Sequence, residues 1–420
     1  MPDDRCDIAI VGAGLAGLAA AREASIHGLD VRVIEAADDV GGRVRSDDVD
    51  GFILDRGFQL YNPAYPEAAR VLDHEALDLT PLTPGVVVAL ESGHTRLGDP
   101  RRLPGWTADA ASPRTGSPAS KVRFARYAWS CSRDPIDHVL AREDAPASVA
   151  LRATGVDARL YDRVLRPFLT GVFLESELRT SRHFLDLTLR SFVRGRPSLP
   201  RTGMRALPRQ LRDALPDGSV ITGSSVRTVT PTLVEHAGGS ISARAVIVAT
   251  DGSSASALLP SLTAPTWNSV TTWYFVAPSG TRITDGLGVL VVDGEHSGPI
   301  VNAVALSNAV AEYSPDTRVL VSTSVLGTET SSEHQARVRA HLQRMLRTST
   351  TDWDMIGVYA IPHALPAMLP PFSVRRPVVL DDGLFVAGDF RDTSSIQGAM
   401  VSGRRAADAA ITSLGLRVIA

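Results

Sequence analysis

Residues 7–36 read DIAIVGAGLAGLAAAREASIHGLDVRVIEA, and the order of their apolar runs and glycines decides the fold. Asp7–Val11 is a short apolar run closed by glycine, the pattern of a parallel strand buried on both faces. The alanine-rich stretch Leu15–His27 reads as a helix, with Gly28 placed where a left-handed backbone ends one. DVRVIEA supplies a second strand, which completes a βαβ unit in about thirty residues. Gly12, Gly14 and Gly17 stand between the first strand and the helix at the spacing a dinucleotide requires. The first glycine permits the tight turn, the second lets backbone approach a pyrophosphate, and the third lets helix and strand pack closely. A pyrophosphate there meets the positive end of the helix. Glu35, closing the second strand, has the position of an acid that takes hydrogen bonds from ribose hydroxyls and disfavours a 2′-phosphate. A glycine triplet alone also fits a flexible turn; strand, helix, second strand and acid together favour nucleotide binding.

Immediately after Glu35 comes AADDVGGRVRS. Gly41 and Gly42 allow close backbone approach, and Arg43 offers a planar, permanently charged fork for phosphate. By itself the segment also reads as a surface turn with a solvated arginine.

The rest of the chain sets the frame. Its 420 residues suggest two to three domains, and 44% hydrophobic with 21% charged residues is the balance of an ordinary globular protein. A formal net charge of −3 shows no nucleic-acid footprint. Cys6 and Cys131, far apart in sequence, argue against a disulfide scaffold and for a reducing compartment. The opening MPDDRCDIAIVGAG carries acids where a signal peptide carries basic residues. No uncharged apolar run is long enough to span a bilayer. The expected location is therefore cytoplasmic, with peripheral membrane contact left open. Lys121 is the only lysine.

Further along, the Pro-, Gly- and Ser-rich stretch 98–118 reads as an internal boundary. Residues 119–195 carry apolar spacing of about 3.6 and read as several helices. Short strand-like segments follow GMRALPRQLRDAL, a helix returns over 331–347, and GLFVAGDF reads as a buried strand before a loop and a terminal helix.

With these blocks on the page, the chain resembles the flavin-containing superfamily of amine oxidases, phytoene desaturases and protoporphyrinogen oxidases. The resemblance rests on GxGxxG, then Glu35, then GGR, and on GFILDRGFQLYNPAYPE, GMRALPRQL, AVIVATD and GLFVAGDFRDTSSIQGAMVSGRRAADAAI. It implies an α/β fold with a Rossmann-like FAD-binding domain made from residues 1–75, 200–258 and 352–420. A discontinuous α+β substrate domain is then made from residues 76–199 and 259–351.

FAD is the implied cofactor. The resemblance makes Gly12, Gly14, Leu15, Ala16, Gly17, Glu35, Ala36, Gly42 and Arg43 binders of its adenosine and pyrophosphate, and brings the adenine to the backbone of Val226. It sets Arg56, Gly57 and Phe58 beside the flavin ring. Gly388 and Asp389 meet the ribityl and phosphate part, and Gln397, Gly398 and Ala399 open the last helix beneath the pyrimidine end. Helix-start amides there suit negative charge on the ring. Ala399, Gly403, Ala406 and Ala410 form a small-residue face that lets this helix lie close to the sheet.

No second GxGxxG occurs, so electrons taken by the flavin leave to oxygen, a quinone or another acceptor, or return to the same substrate. The favoured reading is an oxidoreductase that oxidises or desaturates a hydrophobic, isoprenoid-like small molecule. Such chemistry needs little beyond an apolar cavity that aligns the substrate. Phe168, Leu169, Phe173, Leu174, Phe184, Leu185 and Phe192 are lining candidates, with plain core as the alternative.

Amine oxidation ranks lower, because Lys121 precedes the segment where the superfamily places its flavin-side lysine. It reads instead as a solvated helix residue. A redox-neutral isomerase and a flavin-binding protein without turnover complete the alternatives. Arg391, Asp392 and Tyr61 are the candidate catalytic residues; Arg391 and Asp392 also fit a structural ion pair, and Tyr61 fits packing. His183 and His363 are expected in ordinary hydrogen-bonded roles, and no group of residues has metal-ligand spacing.

Overall fold

The computed structural model describes residues 4–418, so residues 1–3 of the acidic opening stretch lie outside the described residues. Two sheets carry the fold. In the eight-stranded sheet, Asp4–Val11 lies between Val31–Ile34 and Gly239–Val248 and runs parallel to both, with Ile8 opposite Val31 and Ala245. Ile8, Ala9, Ile10 and Val33 are fully buried, as are Val246–Val248, because helices or loops cover both faces. Each valine or isoleucine side chain so buried contributes about 1.5–3 kcal/mol relative to exposure. The second half of Gly239–Val248 pairs in parallel with Leu384–Val386, which brings the end of the chain to its beginning.

The helices Leu15–Ile26 and Ile396–Ser413 pack on this sheet and on each other. Their closest approach is at Gly403, where a Cβ would lie 2.0 Å from the Ala16 carbonyl oxygen. The small-residue face of the terminal helix thus makes its tightest contact with the first helix rather than with the sheet. Backbone meets backbone there, and only glycine leaves room.

A seven-stranded, mainly antiparallel sheet comes from Gly85–Leu90, Gly93–Gly98, Trp267–Ala277, Leu290–Asp293, Ile300–Ala305, Val319–Leu326 and Asp354–Pro366. Helix Ser332–Leu346 packs on it through Val338, Leu342 and Met345. Val88, Leu90 and Val292 face the helices that run from Pro118 to Arg194, including Pro118–Arg133, Arg166–Phe173 and Arg182–Arg194. The expectation of several helices in 119–195 matches this layer.

Asp354–Pro366 departs from the expected division of the chain. Although it lies within 352–420, it pairs along Trp267–Ala277, with Thr272 opposite Tyr359, because its hydrogen-bonding edge completes the second sheet. The stretch expected as a boundary is also partly ordered, with short helices at Pro104–Trp106 and Thr107–Ala111 and a buried Trp106.

One buried carboxylate ties the two parts together. Asp55 accepts hydrogen bonds from Ser46 Oγ (2.6 Å), the Met204 amide (2.9 Å) and the Tyr313 hydroxyl (2.9 Å). Tyr274, in the second sheet, donates to the Asp55 carbonyl at 2.6 Å. Burial pushes the Asp55 carboxyl above its ordinary value against these donors.

Candidate active site

A single continuous cavity of about 2490 Å³ runs from the glycine loop at the edge of the first sheet to the helical layer over the second. A drug-sized ligand fills roughly 300–1,000 Å³, so this volume holds a large cofactor and a substrate together.

At the nucleotide end, Gly12 adopts φ +100°, and a Cβ there would press on the Ala249 carbonyl at 3.0 Å. A Cβ at Gly17 would lie 1.9 Å from the Gly12 oxygen, which makes that position a packing one outside the cavity wall. Gly14 faces open space and begins the first helix without a side-chain cap, so the helix amides at Leu15 and Ala16 look into the cavity. Glu35 also lines it, and its carboxylate accepts from the amides of Ala13 (2.7 Å) and Ala37 (2.9 Å). Two amide donors lock this acid onto the glycine loop while leaving it further lone pairs. Gly41 donates to the Ala13 carbonyl at 2.8 Å, which lays the GGR segment against that loop.

Arg43 does more than the sequence suggested. Its Nη2 donates to Asp389 at 2.7 Å and its Nη1 to the Ala364 carbonyl at 2.8 Å, while Trp267 lies 5.4 Å beneath the guanidinium. Burial opposes its charge, but Asp389 more than compensates and holds the group above its ordinary pKa. Arg43 is therefore no solvated surface residue. It joins the beginning, the second sheet and the end of the chain, with much of its fork spent on protein acceptors.

Ala36, Gly42, Arg56, Gly57, Phe58, Val226, Gly388, Asp389, Gln397 and Ala399 line the same cavity. Arg56 is held by Asp47 through two 2.9 Å hydrogen bonds, and Gly57 has φ +91° with the Ile361 side chain 2.6 Å from where a Cβ would stand. Gly398 does not line the cavity. A Cβ there would meet the Thr393 carbonyl at 2.0 Å, and its amide donates to Ser395 Oγ, the cap of the last helix. That amide is thus not free to face a ligand, as the helix-start reading required. Gln397 turns its Oε1 to the Glu67 amide.

The three candidate catalytic residues separate. Tyr61 is fully buried with its hydroxyl 2.7 Å from His74 Nε2, and burial pushes its phenol well up. It packs outside the cavity wall. Arg391 points to the Pro377 carbonyl, also outside the wall, and forms no pair with Asp392. Asp392 does line the cavity; its Oδ2 is buried without a hydrogen-bond partner, 3.8 Å from Arg405, and burial pushes its carboxyl up. Among the described residues no group of three or more His, Cys, Asp or Glu side chains could hold a metal ion.

At the other end, Phe168, Leu174, Phe184 and Phe192 line the cavity, whereas Leu169, Phe173 and Leu185 are buried in the helical core. Six of the seven sit at apolar helical positions and Leu174 caps helix Arg166–Phe173 in the left-handed region, and only packing decides which face looks inward. Lys121 lies at this helical end. Its Nζ donates to the Ala110 and Ser112 carbonyls at 2.9 and 2.7 Å, so it pins a loop rather than standing in solvent, and burial lowers its pKa.

Several lining residues escaped the sequence reading, among them Thr250, Asp251, Thr393 and Ser394. They fall inside AVIVATD and DFRDTSS, so those blocks carried a signal. His363, expected in an ordinary hydrogen-bonded role, instead lines the cavity and stacks on Trp267 with ring centres 4.9 Å apart, a contact made by neighbouring strands. His183 has the expected ordinary role, 2.8 Å from the Arg142 carbonyl.

The fold and the cavity together define an FAD-dependent oxidoreductase. A family described as flavin containing amine oxidoreductase matches residues 15–411, and the chain belongs to that family. It is similar to hydroxysqualene dehydroxylase from Rhodopseudomonas palustris, 26% identical over 445 residues covering 95% of this chain and 97% of that one. Mitochondrial protoporphyrinogen oxidase from Nicotiana tabacum is 52% identical over 50 residues, a match spanning 12% of this chain and only 10% of the relative's length. The solved structure of wild-type putrescine oxidase bound to putrescine superimposes with a TM-score of 0.71 at 22% identity, covering 98% of this chain and all of that one. FAD is the cofactor, and the observations that fit it are the open glycine strip, the uncapped helix start and the cavity joining Glu35 to Asp389.

Proposed function

We propose that this enzyme oxidises or desaturates a hydrophobic, isoprenoid-like small molecule. The carrying observation is the continuity of the cavity from the glycine loop to a wall of Phe168, Leu174, Phe184 and Phe192. When bound, FAD supplies a two-electron acceptor for a hydride, and loss of a proton from the adjacent carbon completes a double bond.

In this reading Gly12, Gly14, Leu15, Ala16, Glu35, Ala36, Gly42, Arg43 and Val226 hold the adenosine and pyrophosphate half of FAD. Arg56, Gly57, Phe58, Gly388, Asp389, Gln397 and Ala399 surround the other half, and Gly17 and Gly398 act through packing. The aromatic wall excludes water and aligns the reacting carbons, a contribution of orientation rather than of acid–base chemistry. Residues 4–75, 200–258 and those from Val378 onward form the cofactor part; Asp354–Pro366 is counted with the substrate part, as are Met368, Phe372 and Val374, which pack among its helices.

Amine oxidation finds less support. The only lysine is committed to two carbonyls at the helical end, far in sequence from the strand that brings Ile361 beside Gly57. We also propose that the enzyme meets membranes peripherally. Val122, Trp129 and Ile136 are exposed yet line the cavity, and Arg126 stands among them.

Anaerobic mixing of the holoenzyme with isoprenoid hydrocarbons or alcohols and, separately, with di- and monoamines tests the function. Bleaching of the flavin absorbance by an isoprenoid and not by amines is the expected result. Bleaching by an amine alone overturns the reading.

A further inference from the structure

Asn302 is the polar side chain that the apolar end of the cavity leaves without a purpose. It stands on Ile300–Ala305, the strand against which helix Arg166–Phe173 packs. Only 4% of its surface is exposed, yet it lines the cavity beside Gly171, Val172 and Leu290. Its Oδ1 is buried and accepts no hydrogen bond. Nδ2 presses toward Gly171, where a Cβ would stand 2.4 Å from it, so that the helix has a glycine at the point where the amide needs room. Neighbouring Asn268 shows the contrast, since its Nδ2 donates to the Phe173 carbonyl at 2.8 Å and is satisfied within the protein.

A buried amide with no partner lowers stability, and an apolar residue of similar shape removes that cost. An amide that waits for a ligand explains both its burial and its lack of a partner. The two ends of the group exchange by rotation about the last side-chain bond, so it serves as acceptor or donor. A hydroxyl is the complementary group, because it donates and accepts, and a neutral hydroxyl enters a wall of Phe, Leu and Val at far lower desolvation cost than a charged amine or carboxylate.

We propose that Asn302 recognises a hydroxyl group on an otherwise apolar substrate, and that the substrate class is an oxygen-bearing isoprenoid-like molecule rather than a pure hydrocarbon. This rests on the proposed reading of the cavity as the site of a hydrophobic substrate and adds the polar point that orients such a molecule along it.

The test uses the holoenzyme with farnesol and with a farnesene of the same carbon number, binding being read from perturbation of the flavin absorbance. Dividing the alcohol-to-hydrocarbon affinity ratio of the wild type by that of Asn302→Leu cancels the different solvation of the two probes. A double ratio of about ten is expected, the size of one hydrogen bond in a dry site. Asn302→Asp, which keeps the shape but adds a charge, should weaken both probes.

The thermal midpoint of Asn302→Leu should stay level or rise, which separates recognition from a structural role. A double ratio near one, with both probes bound, overturns the role of Asn302 and leaves the hydrophobic-substrate reading intact. Failure of both probes to bind the wild type overturns both.

Discussion

At the residue scale, Glu35 clasps the glycine loop and, in the proposed reading, also holds the ligand. The spacing of the opening stretch marks it as a ribose partner, but the two amides it accepts also make it the clasp of the glycine loop. Glu35→Ala should therefore weaken FAD retention by about 1.5–3 kcal/mol through the loss of charge-assisted hydrogen bonds. Flavin occupancy after exhaustive dialysis measures this, and occupancy equal to the wild type refutes it.

Asp293 gives a second residue-scale expectation. Burial alone raises its pKa, but hydrogen bonds from His341 (3.0 Å) and from the Glu295 and Ser297 amides outweigh burial and bring it to about 2. In the unfolded chain an aspartate carboxyl has a pKa of about 3.9, so the folded state gains stability from Asp293 above that pH and loses it as pH falls through about 2. The thermal-midpoint advantage of wild type over Asp293→Asn should be full at pH 6 and shrink between about pH 4 and pH 2. A constant gap across that range counts against the assignment.

At the scale of elements, the meeting of the first and last helices shows why glycine placement in a helix is informative. Gly403 lies inside Ile396–Ser413, where glycine lowers helix propensity by about 1 kcal/mol relative to alanine. Its presence makes sense only because the Ala16 carbonyl occupies the space a Cβ needs. Gly403→Ala should consequently destabilise the protein despite the better propensity, and should lower flavin content because the first helix carries Leu15 and Ala16 to the cavity. Thermal denaturation with an absorbance spectrum of the purified variant checks both effects; an unchanged midpoint would show that the helices can separate freely.

Much of this level was legible beforehand. The first βαβ unit was plain from residues 7–36, because local periodicity and local burial coincide in a parallel strand. Asp354–Pro366 was harder, since its alternating half-buried pattern does not say which sheet edge it completes. Only pairing with Trp267–Ala277 settles that.

For the whole molecule, closure depends on contacts across hundreds of residues. Arg43 and Asp389 are 346 positions apart in sequence and are joined by a 2.7 Å hydrogen bond. At the far end of the cavity, helix Pro118–Arg133 exposes Arg123, Arg126 and Arg133 and carries no acidic residue. Together with exposed Val122, Trp129 and Ile136 at the cavity lining, this basic and apolar face suits an anionic lipid surface. The holoenzyme should cosediment with phosphatidylglycerol vesicles and not with phosphatidylcholine vesicles, and release as salt rises. Trp129→Ser combined with Arg126→Glu should abolish the binding at unchanged flavin content. Recovery of the wild type in the supernatant with both vesicle types refutes the docking face. Among the described residues no helix is long and apolar enough to cross a membrane.

The sequence by itself determined the nucleotide end of this protein: glycines, a strand-closing acid and a small-residue helix act over a few turns of chain, and their steric demands are written in residue type and spacing. Tertiary structure alone decided which phenylalanines face the cavity, that Tyr61 and Arg391 turn away from it, that Arg43 closes on Asp389, and that Asn302 is left unpaired. Those outcomes depend on which faces pack together, and packing is a property of surfaces brought together from distant parts of the chain rather than of any one segment.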